Sequence, residues 1–515
     1  MVRGATVVRG PPGGPAPVTQ RHIGARTLLR GAAWYQAGQL LPVLAALALV
    51  PRLVHGLGLE RFGILSLAWM LIGYFNLFDL GVSGALTRLV AERLAARREH
   101  EVPAMVWTAL TLTTALGLLG AALLAAIAPW LVRTALHVPE ELRRETLGLT
   151  WVLAASLPVV TGTAALAGVL AAQQRFGVLN AIRIPMGVFT YAGPLLVLPW
   201  SASLLPVGLA LAVVRVLGGL AHLAACLVGT PGLRSGVVIR RNLLGPIVSF
   251  GGWMSVTAVV APLMVYFDRF LIGGMLSMAM VAYYTTPFDL TSRMVLLSLP
   301  VVNVLFPAFA ASYDADRARA GRLFDWGVRA VAVLLFPAAF VLASFSQELL
   351  TLWLGASFAA HSAAVLKLLA IGLFVNGLAQ VALALVQSSG RPDLGARLHL
   401  AEMPFYLLAL WLLIRAHGIE GAAVAWLARV MVDALALFLL ARGRLRSQTR
   451  GVGSAALGGG GALLILVVGA LIPGLVARLC FAAAALALFA LLAWRHVARP
   501  GMRALLEPGQ ASPTP

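Results

Sequence analysis

Twice along this chain of 515 residues an aspartate stands in apolar sequence within the same tripeptide, Phe78-Asp79-Leu80 and Phe288-Asp289-Leu290. Aromatic residues precede each copy, Tyr74 and Phe75 in one and Tyr283 and Tyr284 in the other. Hydroxyl residues and an arginine follow, Arg88 and Arg293. Around the first copy Asn76, Asp79, Ser83 and Thr87 recur every three or four residues, which places them on one face of a helix. Thr285, Asp289, Ser292 or Arg293 and Asn303 form a similar stripe around the second, Asn376, Gln380 and Gln387 a third, and Tyr35, Gln36 and Gln39 a fourth. Arg215, Arg269 and the pair Arg429 and Asp433 carry further charge into apolar stretches. Such groups bind by charge and hydrogen bond. Nothing beside them is spaced for bond cleavage or for a metal: His55, His222 and His361 stand alone, Cys226 and Cys480 lie far apart, and the run Gly458 to Gly461 lacks the lysine of a phosphate-binding loop. No cofactor is expected.

The elements that hold these residues follow from composition. Sixty per cent of the chain is hydrophobic, 11% is charged, and the mean hydropathy is +0.91. A soluble domain, with about a quarter of its residues charged, could not cover that much apolar surface. The chain is therefore expected to be all-α and polytopic, with about 14 membrane-spanning helices of roughly 20 residues each. They start near residues 31, 62, 104, 148, 178, 203, 246, 279, 327, 362, 396, 418, 454 and 476. Residues 1–30 read as a disordered basic tail, since Pro and Gly break any continuous apolar run.

A formal charge of +20 would suggest a nucleic-acid partner in a soluble protein. Here the position of the charge points to membrane topology instead. The inner segments hold clusters such as Arg88, Arg93, Arg97 and Arg98, then Arg175 and Arg183, then Arg234, Arg240 and Arg241, then Arg442, Arg444, Arg446 and Arg450. The outer ones hold only Arg52, Arg61, Arg133, Arg143, Arg144, Arg415 and Arg478. This asymmetry predicts both termini in the cytoplasm. The longest outer segment, residues 133–148, is expected to form a short interfacial helix; it offers no catalytic constellation, which disfavours a membrane sugar polymerase or ligase.

Because the repeated tripeptide falls in the second span of each half, six spans apart, the halves enter from the same side and form parallel repeats. The expected organisation is a six-helix lobe over 31–230, a linker at 231–245, a second six-helix lobe over 246–445, two further helices over 446–498 and a tail at 499–515. Polar stripes stranded in lipid would be costly, so they should converge on protein or on a central water-filled cavity. Asp289, Arg293, Arg215, Arg429 and Asp433 come out deep in the bilayer, and Arg88 and Arg269 nearer its two faces, where snorkelling to headgroups is the structural alternative. Arg429 and Asp433, four residues apart, read as an internal ion pair, and Arg293 has the same spacing to Asp289.

Residues 56–92, GLGLERFGILSLAWMLIGYFNLFDLGVSGALTRLVAE, resemble the first signature of polysaccharide flippases in the multidrug/oligosaccharidyl-lipid/polysaccharide exporter superfamily. Residues 250–276 with 281–310 resemble spans 7 and 8 of lipid-linked oligosaccharide flippases, and LLTLWLGASFA at 349–359 their segment after span 9. The resemblance implies a V-shaped pair of lobes that turns a polyprenyl-diphosphate-linked glycan from the inner to the outer leaflet of the cytoplasmic membrane by alternating access, without covalent chemistry. Arg293 matches an arginine that holds the diphosphate in the related lipid flippase of peptidoglycan synthesis. The implied partners are that glycan, membrane lipids and polysaccharide-assembly proteins, with no nucleic acid. The site residues expected to face the cavity are Arg293, Arg215, Asp289, Asp79, Arg88, Asn76, Asn376, Gln380, Gln39 and Arg269. An ion-coupled multidrug exporter of the same superfamily is the alternative, disfavoured because deep arginines outnumber deep acids.

Overall fold

The computed structural model of the chain describes residues 25–74, 81–245, 264, 266–445 and 449–494, and every regular element among them is a helix. The first bundle comprises α1 (Ala25–Leu57), α2 (Leu59–Tyr74), α3 (Val82–Ala95), α4 (Val102–Trp130), α5 (Glu140–Ala172), α6 (Phe176–Val197) and α7 (Leu204–Gly229). The second begins with α8 (266–275). It continues with α9 (Met278–Ser292), α10 (Val295–Ser312), α11 (Arg317–Ser344), α12 (Ser346–Leu354), α13 (Ala356–Ser388), α14 (Pro392–Leu445), α15 (Thr449–Leu471) and α16 (Leu475–Ala493). Eight helices among the described residues are long and apolar enough to cross a membrane, and two shorter apolar helices close the chain. Leu118, Leu119, Leu123 and Ile127 of α4 are exposed, as side chains facing lipid would be.

Several helices reach beyond their apolar segments, because charged first turns extend them. The outer segment expected as a separate interfacial helix instead supplies the first turns of α5, with Glu140 and Glu141 at the positive end of the helix dipole. The start of α11 is fixed by Asp316, whose carboxylate accepts the Arg319 N–H at 2.9 Å. In α14 the backbone of Gly418 turns at φ 57° and ψ −136°. Gly421 then lies against the Leu413 carbonyl, eight residues back. A continuous helix rising 1.5 Å per residue forbids that approach, so α14 is two antiparallel arms.

Within the first bundle α5 packs on α3, α4 and α7, and α6 on α1 and α7; within the second, α13 packs on α9, α10, α11 and α14, and α15 on α11. The bundles meet mainly through α2 against α9. Several contacts that join them lie toward the end where α1 passes into α2. There Glu60 accepts the Ala279 N–H at the start of α9 (3.1 Å), His137 donates its backbone N–H to the Gly273 carbonyl (2.8 Å), and the Trp353 indole donates to the Leu47 carbonyl (2.7 Å). Gly63 allows α2 to touch the α9 backbone, since a Cβ there would overlap the Met278 carbonyl.

Candidate functional site

Where the two bundles meet, Val50, Phe62, Trp69, Tyr191, Asp289 and Arg293 line a crevice. α9 delivers Asp289 in its last turn, and the break between α9 and α10 presents Arg293, exposed, at its edge. Arg293 Nη2 donates to the Tyr191 hydroxyl at 3.3 Å, across the interface between bundles. Tyr191 in turn stands edge-on to Trp69, with ring centroids 5.0 Å apart. Among the described residues no carboxylate lies within 4 Å of Arg293.

The pairing expected from spacing, Arg293 with Asp289, is not formed. Asp289 instead accepts from Arg269 Nη2 at 3.1 Å. Arg269 does not snorkel; it is 2% exposed, lies over the rings of Tyr266 (4.9 Å) and Phe288 (4.5 Å), and follows the buried Asp268. Asp268 accepts the Arg269 backbone N–H (2.7 Å) and the Tyr284 hydroxyl (2.6 Å). Asp289 keeps 53% of its side chain exposed, so the pair holds one face toward open space. A guanidinium buried against rings and tied to one carboxylate positions that carboxylate, while Arg293 retains donors for an incoming anion. The stripe expected on this span therefore splits: Thr285 turns into the core and bonds the Val281 carbonyl, because a hydroxyl in an apolar interior satisfies itself on its own helix.

Arg215 lies elsewhere. It lines a separate cavity of about 350 Å³ inside the first bundle, between α2, α5, α6 and α7, together with Arg183 and His222. Arg183 sits within α6, seven residues from its start. Arg215 is 9% exposed and donates Nη1 to the Leu211 carbonyl at 2.8 Å.

A third polar group is buried in the second bundle. Arg429 does not bridge to Asp433; it lies 5.4 Å from the Tyr406 ring centroid, and Asp433 faces His399 at 3.3 Å. Both oxygens of the nearby Glu402 are buried with no hydrogen-bond partner among the described residues. Of the other expected positions, Arg88, Asn376 and Gln380 line neither cavity. Arg88 pairs with Glu92 at 2.7 Å on α3, and Gln380 donates to Asn376 at 3.3 Å on α13. Asn76 and Asp79, and the side chain of Gln39, lie outside the described residues. Sequence reasoning missed Trp69, Tyr191, His399 and Glu402. The spacing of His399, Glu402 and Tyr406, three and then four residues, was a usable signal, whereas nothing in the sequence brings Tyr191 to Arg293.

Two packed helical bundles with exposed apolar surfaces, and a crevice between them that holds Arg293 and Asp289, define a multi-pass membrane protein. The chain belongs to the polysaccharide biosynthesis protein family, whose pattern it matches over residues 49–363. It is 28% identical over 414 residues to a Shigella flexneri protein provisionally named an O-antigen transporter, covering 80% of this chain and 97% of that one. Its fold is similar to the inward-facing conformation of a multidrug resistance MATE family transporter of the MOP superfamily, with a TM-score of 0.67 at 15% identity over 82% of this chain and 99% of the other. It is equally similar to the lipid II flippase MurJ in an inward closed conformation, with a TM-score of 0.66 at 12% identity over 91% and 99%.

Proposed function

We propose that this protein turns a polyprenyl-diphosphate-linked oligosaccharide from the inner to the outer leaflet of the cytoplasmic membrane, by alternating access, for surface polysaccharide assembly. Both termini lie in the cytoplasm on this reading. The observation that carries it is Arg293, presented at the crevice between the bundles with no carboxylate within 4 Å among the described residues. A diphosphate is multiply anionic, and a planar guanidinium in a partly dry site offsets its desolvation through short, bidentate, charge-assisted hydrogen bonds. Asp289, held by Arg269, can accept from sugar hydroxyls beside it. The lipid tail stays in the bilayer, so only the headgroup crosses. If the end where α1 passes into α2 is the outer one, the Glu60 and Trp353 contacts there fit a carrier closed to the outside and ready to load from within.

Family membership and the O-antigen transporter relative support the glycan as cargo. A cationic drug would need acidic cavity walls, and here Arg293, Arg215 and Arg183 line the cavities against Asp289. Replacing Arg293→Ala is expected to abolish surface glycan, with protein abundance unchanged and short lipid-linked units accumulating inside. Normal surface polysaccharide in that strain contradicts the proposal, and a change only in glycan chain length would favour a polymerase.

A further inference from the structure

We infer that the cavity inside the first bundle is a second anion site, built for a phosphate or diphosphate group and reached from the end of the bundle that carries the basic connections; this deepens the flippase reading and rests on it. Arg183, Arg215 and His222 share its wall, and none of the described residues that line it is a carboxylate. Its volume of about 350 Å³ lies in the range of small-ligand sites. Arg215 carries the argument. It is 9% exposed, one of its N–H groups is bound to the Leu211 carbonyl, and no carboxylate among the described residues lies within 4 Å of it. A buried guanidinium without a counter-ion is costly, and a bound anion is the group that removes the cost.

His222 adds a second, independent observation. Its ring is 1% exposed, Nδ1 donates to the Gly218 carbonyl at 2.7 Å, and Nε2 is buried with no partner among the described residues. A proton shared between Nε2 and a phosphate oxygen would complete that bond, whichever side carries it. The hydroxyls of Thr163 and Thr190 point back into their own helices, onto the Val159 and Met186 carbonyls, so recognition falls first to the buried Arg215 and His222.

Depth gives the site a direction. Arg183 lies seven residues into α6 and His222 seven residues from the end of α7, about 10 Å in from the same end, while Arg215 is fourteen residues, about 21 Å, from it. The basic side chains thus run from near that end of the bundle to the middle of α7. Arg175, Arg234, Arg240 and Arg241 crowd the entrance end.

The test uses the purified full chain in nanodiscs, titrated calorimetrically with inorganic pyrophosphate, inorganic phosphate and farnesyl diphosphate. Wild type is expected to take up two pyrophosphates per chain, Arg293→Ala one, and Arg215→Gln or Arg183→Gln one, with Arg215→Lys restoring part of the lost uptake. Since Arg183 is exposed, its replacement keeps the test meaningful if Arg215→Gln fails to fold. Farnesyl diphosphate binding tenfold or more tighter than pyrophosphate supports the site and assigns it to the lipid-linked headgroup; equal affinity, with competition by phosphate, supports it as a site for the free anion. Unchanged stoichiometry and affinity in both Arg183→Gln and Arg215→Gln overturns it. Export measured separately in cells keeps the two readings apart: lost export in Arg293→Ala with unaltered uptake in Arg215→Gln removes this site alone, whereas full export in Arg293→Ala with two-site uptake in wild type removes the flippase reading alone.

Discussion

Gly63 offers the sharpest mechanical test. It sits in α2 where that helix crosses the first turn of α9, and a Cβ there would overlap the Met278 carbonyl oxygen and crowd its carbon and Cα. Those atoms are backbone, so no rotamer change relieves the overlap. Retreat of α9 is resisted by Glu60 on the Ala279 N–H and by the Ser277 side chain capping Met280. Adding the methyl group should therefore act on the closure between bundles as overpacking does in any tight contact, at about 1–3 kcal/mol. A state in which α2 and α9 have parted does not bear this cost, so the closed population should fall roughly 5- to 150-fold relative to it. Spin labels at positions 200 and 352 would report the change. Trp200 and Leu352 are 84% and 88% exposed and lie on opposite bundles. With Cys226 and Cys480 replaced, pulsed dipolar spectroscopy of Gly63→Ala should show a new long-distance component. A distribution unchanged from the parent, in a protein of unchanged stability, would refute the claim that this crossing holds the two bundles together.

Glu60→Ala removes a carboxylate from the start of α9 and should shift the same distribution in the same direction by about 0.5–2 kcal/mol, read with the same labels. Tyr284→Phe leaves one oxygen of the buried Asp268 unpaired and should lower the unfolding free energy by about 1.5–3 kcal/mol in a detergent titration. Glu402→Gln should leave stability unchanged or raise it, because neither buried carboxylate oxygen has a hydrogen-bond partner and Asp433 is close by; a loss above about 1 kcal/mol in the same titration would show that the charge is satisfied after all. Arg478 ties α16 to the second bundle through Glu348 and the Ser344 carbonyl, so Arg478→Ala should speed proteolysis in the turn between α15 and α16.

Hydrophobic content and the period of polar residues determined the class of this protein, because lipid admits only helices whose backbone is satisfied internally. The same reasoning marked Asp289, Arg293 and Arg215 as charges that must face something other than acyl chains, and each lines a cavity. Family character was legible in the residues around the two aspartates. The partners of those charges were not. Spacing along one helix names neighbours on that helix, yet Asp289 took Arg269 from α8, Arg293 took Tyr191 from α6, and Arg429 took Tyr406 across the α14 hairpin. The separation of Arg215 from Arg293 into different cavities, and the gathering of Arg183 and His222 beside Arg215, likewise depend on how helices far apart in sequence cross. A charge deep in a membrane must find a partner, and sequence states that demand; which partner meets it is decided by the packing of one bundle and its fit to the other.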